Sequence, residues 1–223
     1  MLFRSHPTRH QFEVFAYGTS NPWGVDFNDQ GQCFLTCCVI PHLFHMVQGA
    51  RYLRQGGEHF QKHTYADIGT IANHRHWVGN QWNEADRAKS DTNGGGHAHA
   101  GAMIYLGGTW PAEYRNQLFM NNIHGARLNL DKLTPRGSGY EGDGLPDFCR
   151  TNDLWSQILY LRYGPDGQVY MIDWYDRNQC HHGNVPGHDR SNGRIFKISY
   201  GTSHAEPVRS EEHTSELQSH SDL

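Results

Sequence analysis

His97 and His99 stand two residues apart in the stretch Gly94 to Gly125, GGGHAHAGAMIYLGGTWPAEYRNQLFMNNIHG, which carries a third histidine, His124. On a strand, alternate residues share a face, so the first two imidazoles project to one side. Gly94, Gly95, Gly96, Ala98, Ala100 and Gly101 leave the backbone around them uncrowded. That arrangement suits a site that something must approach closely, with an imidazole to accept or donate a proton; the same residues would also line a plain turn between strands. Asp173-Trp174-Tyr175-Asp176 adds carboxylates that suit a hard cation such as calcium, although two acids are too few for a cage made of protein alone. Cys180-His181-His182 carries soft and borderline ligands, yet neighbouring side chains on an extended segment face opposite ways. Loop packing is the stronger reading there, and no metal site is predicted. His42 and His45 flank an apolar strand and read as rim or surface residues, while Asn73-His74-Arg75-His76-Trp77 reads as a lid or a carbohydrate-contacting loop through Trp77 and Trp82.

The elements that must position these residues repeat. Gln32-Cys33-Phe34-Leu35-Thr36-Cys37, Gln117-Leu118-Phe119-Met120-Asn121-Asn122 and Gln168-Val169-Tyr170-Met171-Ile172-Asp173 are copies of one strand pattern. Each is followed by a second strand-like segment, at Leu43 to Val47, Arg127 to Leu130 and Arg194 to Ile198. Two copies are entered by turns, Asn28-Asp29-Gln30-Gly31 and Gly164-Pro165-Asp166-Gly167, with the residue types that tight turns demand. The repeat places Cys37, Asn122 and Asp173 at one level, each five residues after its Gln, with His124 and Tyr175 two residues further on. Gln32 and Gln117 are 85 residues apart and Gln117 and Gln168 are 51 apart. A unit of about 50 residues built from short strands predicts an all-β fold, a β-propeller present as about three blades, with an insertion at about residues 50–96.

Composition fits that class. The chain has 25 Gly, 11 Tyr, 10 Phe and 6 Trp in 223 residues, and no long amphipathic helical pattern outside the insertion. A net charge of -4 without a basic cluster argues against a nucleic-acid partner, and no apolar run is long enough to span a membrane as a helix. The 5 cysteines show neither CxxC nor CxxCH spacing, so neither a zinc ribbon nor an attached haem c is read in this chain. The 17 histidines are the compositional outlier. Residues 1–7 have no apolar core of the signal-peptide kind, and residues 1–208 are read as the partial propeller. Residues 209–223 begin RSEEHTSELQSH, the in-frame translation of a common sequencing-library adapter, and are expected to lie outside the fold.

Phe12 to Phe27, His97 to Gly101, Pro111 to Arg115, Asn121 to Gly125 and Asp173 to Asp176 together carry a family resemblance spanning roughly residues 12–200. The chain resembles the propeller of the large membrane-bound dehydrogenase-type proteins of planctomycetes and, more distantly, glucose/sorbosone dehydrogenases. The resemblance implies a six-bladed propeller in a longer protein with a haem c domain, exported to the periplasm or cell surface. It also implies oxidation of a sugar or alcohol with pyrroloquinoline quinone as cofactor. In such a reaction an imidazole or carboxylate takes the hydroxyl proton while hydride leaves the carbon, a role for His124 or Asp173. His97, His99, Asn122, Tyr175, His181 and His182 would then form the rim that meets substrate or cofactor. In the sugar quinoprotein dehydrogenases the general-base histidine and much of the quinone pocket come from earlier blades than those resembled here. The other reading is a non-catalytic propeller that binds a polysaccharide or a partner domain, since one fold hosts many functions.

Overall fold

The computed structural model describes residues 2–59, 66–78, 84–176, 188–189 and 191–201, with 84–87 described by backbone alone. The tail 209–223, His181, His182 and Trp82 lie outside the described residues.

Strands dominate. In chain order they are β1 (Leu2–His6), β2 (Gln11–Gly18), β3 (Pro22–Phe27), β4 (Cys33–Cys37), β5 (Leu43–Met46) and β6 (Arg51–Tyr52). A short helix, α1 (Glu84–Asp91), lies inside the insertion. The second half holds β7 (His99–Ile104), β8 (Gln117–Asn122), β9 (Arg127–Arg136), β10 (Gly139–Gly144), β11 (Cys149–Arg150), β12 (Ser156–Tyr163), β13 (Val169–Tyr175) and β14 (Arg194–Ile198).

The strands form sheets β3-β4-β5, β10-β9-β8-β7 and β12-β13-β14, with β11 added beside β9. Each of these is an antiparallel meander, and Gln32, Gln117 and Gln168 all sit at the entry of its second strand. The sequence repeat is therefore a repeat of blades. A further small sheet, β1-β2-β6, precedes them, with β6 supplied by the start of the insertion.

Local chemistry explains the strand entries. Gly31 and Gly167 adopt positive φ, and their amides donate to Asn28 O and Gly164 O, both at 2.9 Å. The Asn28 side chain accepts from the Gln32 amide at 2.8 Å, and Asp166 does the same for Gln168 at 3.1 Å, so each turn is pinned by its own carboxamide or carboxylate.

The blades stack through their faces. Phe34 and Leu43 of the first pack on Ala102, Ile104, Leu118 and Met120 of the second. Met103, Phe119 and Leu128 of the second pack on Ile158, Leu161, Val169 and Met171 of the third, with Trp110 and Tyr105 filling the same layer. A Cβ on Gly24 would lie 2.3 Å from the Gly101 carbonyl carbon, so two blades approach backbone to backbone at that point.

Within the insertion, residues 71–73 are built into the blades. Ile71 N donates to Leu43 O at 3.0 Å, Gly142 N to Ile71 O at 2.8 Å and Asn73 N to Gly142 O at 3.0 Å. Residues 71–73 are thus stitched between β5 of one blade and β10 of the next. That stitching carries His74 and His76 inward.

Candidate functional site

Four imidazoles from three chain segments meet at the junction of the first two blades. His42 lies between β4 and β5, where its carbonyl accepts from the Cys37 amide at 2.8 Å. His99 opens β7, opposite Asn122. His74 and His76 come from the stitched segment, and the His76 carbonyl accepts from Gly96 N at 2.8 Å. Gly94 makes this possible: its φ is +98°, and a Cβ there would sit 2.4 Å from the His76 ring. The His42 and His99 rings stack at 4.4 Å between centroids, and His76 lies 4.9 Å from each of them. His74 is 4.7 Å from His76 and 5.2 Å from His42. His76 Nδ1 and His99 Nε2 share a hydrogen bond of 2.7 Å.

Asp131, buried on β9, closes the group with a carboxylate oxygen 3.4 Å from His74 Nε2 and another 4.0 Å from His42 Nε2. The first contact pairs the carboxylate with His74, and the second is too long for a hydrogen bond. His42 Nε2 and His99 Nδ1 are buried without a hydrogen-bond partner. Burial, reinforced by the neighbouring imidazoles, pushes the pKa values of His42 and His99 well down and that of His76 to about 3, so these rings are neutral. At His74 burial acts in the same direction, but the Asp131 carboxylate outweighs it and raises the pKa. Burial raises Asp131 as well, with His74 opposing it.

A pocket of about 520 Å³ opens onto this cluster at His42 and His74. Thr70, Asn73 and Arg75 supply further polar lining, with Ile40 and Leu53 as an apolar wall.

The residues singled out by the repeat fall around the neighbouring strand ends. His97 and His124 are ring partners at 4.8 Å, and Trp77 lies 5.3 Å from His97. Asn122 donates to Gly94 O, Gly96 O and Asn129 Oδ1, each at 3.0 Å, and accepts from Gly125 N at 2.9 Å. It ties down the glycine turn beneath His76. Asp173, in the third blade, is gripped by Arg194 at 2.6 and 2.8 Å and accepts from Ser156 Oγ at 3.1 Å. Tyr175 stacks beneath the same guanidinium, 4.0 Å from its ring centre. His99, His97, Asn122 and His124 are therefore brought together in the second blade, and Asp173 with Tyr175 belongs to a separate ion-paired group. The expectation for His42 and His45 is corrected. His42 and His45 are buried rather than on a rim, because the stitched segment covers the first and Gln32 and Tyr140 enclose the second, with Gln32 at 2.9 Å. His74, His76 and Asp131 were missed as site residues. Their one sequence signal was the second His-x-His spacing, at His74 and His76, in a chain already overloaded with histidine.

Residues 1–204 match the family profile of a domain of unknown function, DUF7133. The chain belongs to this family. No curated protein sequence matches this DUF7133 chain. Among solved structures it is similar to an oxidoreductase described as a glucose dehydrogenase from Thermus thermophilus, at 15% identity and a TM-score of 0.51, covering 83% of this chain and 47% of that one. It is also similar to the apo form of the soluble aldose sugar dehydrogenase of Escherichia coli, at 17% identity and a TM-score of 0.50, covering 84% and 47%. These likenesses show the fold, and the chain spans about half the length of either structure.

Pyrroloquinoline quinone is a tricarboxylate and needs several uncommitted cations. Among the described residues, Arg75 is the only arginine on the pocket wall, while Arg127, Arg162 and Arg194 are each held by carboxylates. The described residues do not fit a quinone. Nor do they fit calcium, since Asp173 is taken by Arg194, and Asp176 accepts from His188 at 3.1 Å and from Asp189 N at 3.0 Å.

Proposed function

We propose that this chain is part of a dehydrogenase-like propeller that binds a sugar or related alcohol in the pocket beside His42 and His74. The observation that carries this is the pocket itself. It has room for a small polyol, its polar groups are neutral donors and acceptors apart from Arg75 and His74, and an apolar wall faces them. The likeness in fold to sugar dehydrogenases agrees with that reading but does not supply it.

His74 is the wall residue that can take a hydroxyl proton, since the buried Asp131 carboxylate behind it favours the protonated ring. On oxidation the carbinol carbon becomes a carbonyl, the hydroxyl proton passes to the His74 ring on its pocket side, with Nε2 turned to Asp131, and the carbon-bound hydrogen leaves with two electrons to an acceptor outside this chain. The haem c partner and the exported location belong to the same proposal. So does a quinone, held in that case by other parts of a longer protein. Among the described residues the pocket wall carries one arginine, Arg75, which favours a second reading, in which the pocket binds a carbohydrate without oxidising it.

The test is calorimetric titration of the chain with aldoses and simple alcohols, followed by dye reduction in the longer protein. Binding that weakens at least tenfold in His74→Ala, with dye reduction lost, is the expected result. Binding that survives without any dye reduction across the panel supports the carbohydrate-binding reading, and no binding at all removes both.

A further inference from the structure

The four-histidine cluster calls for an explanation that substrate binding does not provide. Three of its rings, those of His42, His76 and His99, are buried, and an imidazole nitrogen is a common ligand for metal. Yet His42 Nε2 and, 4.0 Å from it, Asp131 Oδ2 lack hydrogen-bond partners in the interior. Buried polar atoms left unmatched are costly, so packing alone would not favour bringing these together here.

We infer that His42, His76 and His99 bind a borderline divalent transition-metal ion, of the zinc class, at the junction of the first two blades. One nitrogen from each of the three lies within 4.8 Å of the others. Ligands on a tetrahedral zinc at about 2.0–2.1 Å are about 3.3 Å apart. The His76–His99 pair at 2.7 Å must open slightly on binding, and no pair starts wider than 4.8 Å.

The surroundings complete the case. Asp131 places a buried carboxyl 4.0 Å from His42 Nε2, and its ionised form would offset part of the ion's charge in a medium where an unbalanced cation would be costly. The pocket reaches the cluster at His42, the side from which the ion would enter from solvent. The donor set is nitrogen-rich and free of sulfur, so it selects against calcium and magnesium, which take oxygen ligands.

The inference stands apart from the oxidation reading, because its readout is the ion. Chelator-treated full-length chain is dialysed against zinc or cobalt(II), and bound metal is measured by mass spectrometry, with the cobalt form examined by visible absorption. Expected are one zinc or cobalt ion per chain, tetrahedral cobalt bands, and no retained calcium or magnesium. His42→Gln and His99→Gln should each lower affinity at least a hundredfold, and His45→Gln, a buried histidine outside the cluster, should not change it. Histidine ring NMR signals on titrating wild-type chain with zinc provide a check that needs no variant, with three ring systems shifting together. Wild-type chain that binds no zinc or cobalt at micromolar concentration, or that holds magnesium as firmly, overturns the inference. Folded glutamine variants that bind as well as wild type overturn it too. Metal binding without sugar oxidation leaves it standing and defeats only the oxidation reading; sugar oxidation by chain that cannot take up metal does the reverse.

Discussion

Replacing Arg127 with Met should loosen the platform beneath the histidine cluster. The guanidinium is 2% exposed and bridges two carboxylates, Asp147 at 2.7 Å and Asp91 at the end of α1, while Nε donates to Gly125 O at 3.0 Å. Removing one member of a fully buried pair costs about 3–5 kcal/mol, because the other charge stays stranded. Here Asp91 is 50% exposed and Asp147 is 22% exposed, so both regain much of their hydration and the expected loss falls to about 2–3 kcal/mol. Met fills the space of the aliphatic stem, so the loss reports the fork of hydrogen bonds rather than a cavity. For a domain of this size a kcal/mol lowers the melting temperature by about 2–4 °C, which gives a fall of about 4–12 °C. Thermal melts followed by far-UV dichroism, with urea titration as a second measure, would read it. Arg127→Lys should fall between, keeping the charge and losing the fork. A Met variant melting within about 1 °C of wild type would refute the view that this arginine holds the insertion to the second blade.

Gly24→Ala should destabilise by about 1–3 kcal/mol or more, because the new Cβ meets backbone at 2.3 Å rather than a side chain that can move; urea unfolding midpoints test it, and an unchanged midpoint would mean the blades do not meet there. Cys37 should be the slowest thiol to react with a disulfide reagent at pH 8, since burial pushes its pKa up to about 12 and almost no thiolate is present. Rapid labelling of native chain at that position would contradict its place in the core.

Much of the fold was written locally. The turn residues Asn28, Gly31, Asp166 and Gly167 act through hydrogen bonds to positions two to four residues away, so their types announce the strand entries directly. The spacing of Gln32, Gln117 and Gln168 then marks equivalent strands, because blades built alike repeat their local chemistry. The His97-x-His99 spacing did not carry over as a strand face: Ala98 takes a positive φ just before β7, and His97 meets His124 while His99 stacks on His42. What the tertiary structure alone decided is which of these groups have partners. Asp173 looks available in sequence, but Arg194 reaches it from the next strand, 21 residues away. His42, His74 and Asp131 are 32 and 57 residues apart along the chain, and no pattern of period two or 3.6 relates them. They meet because residues 71–73 hydrogen-bond between two blades, a long-range pairing whose free energy depends on surfaces that exist only once both blades have formed.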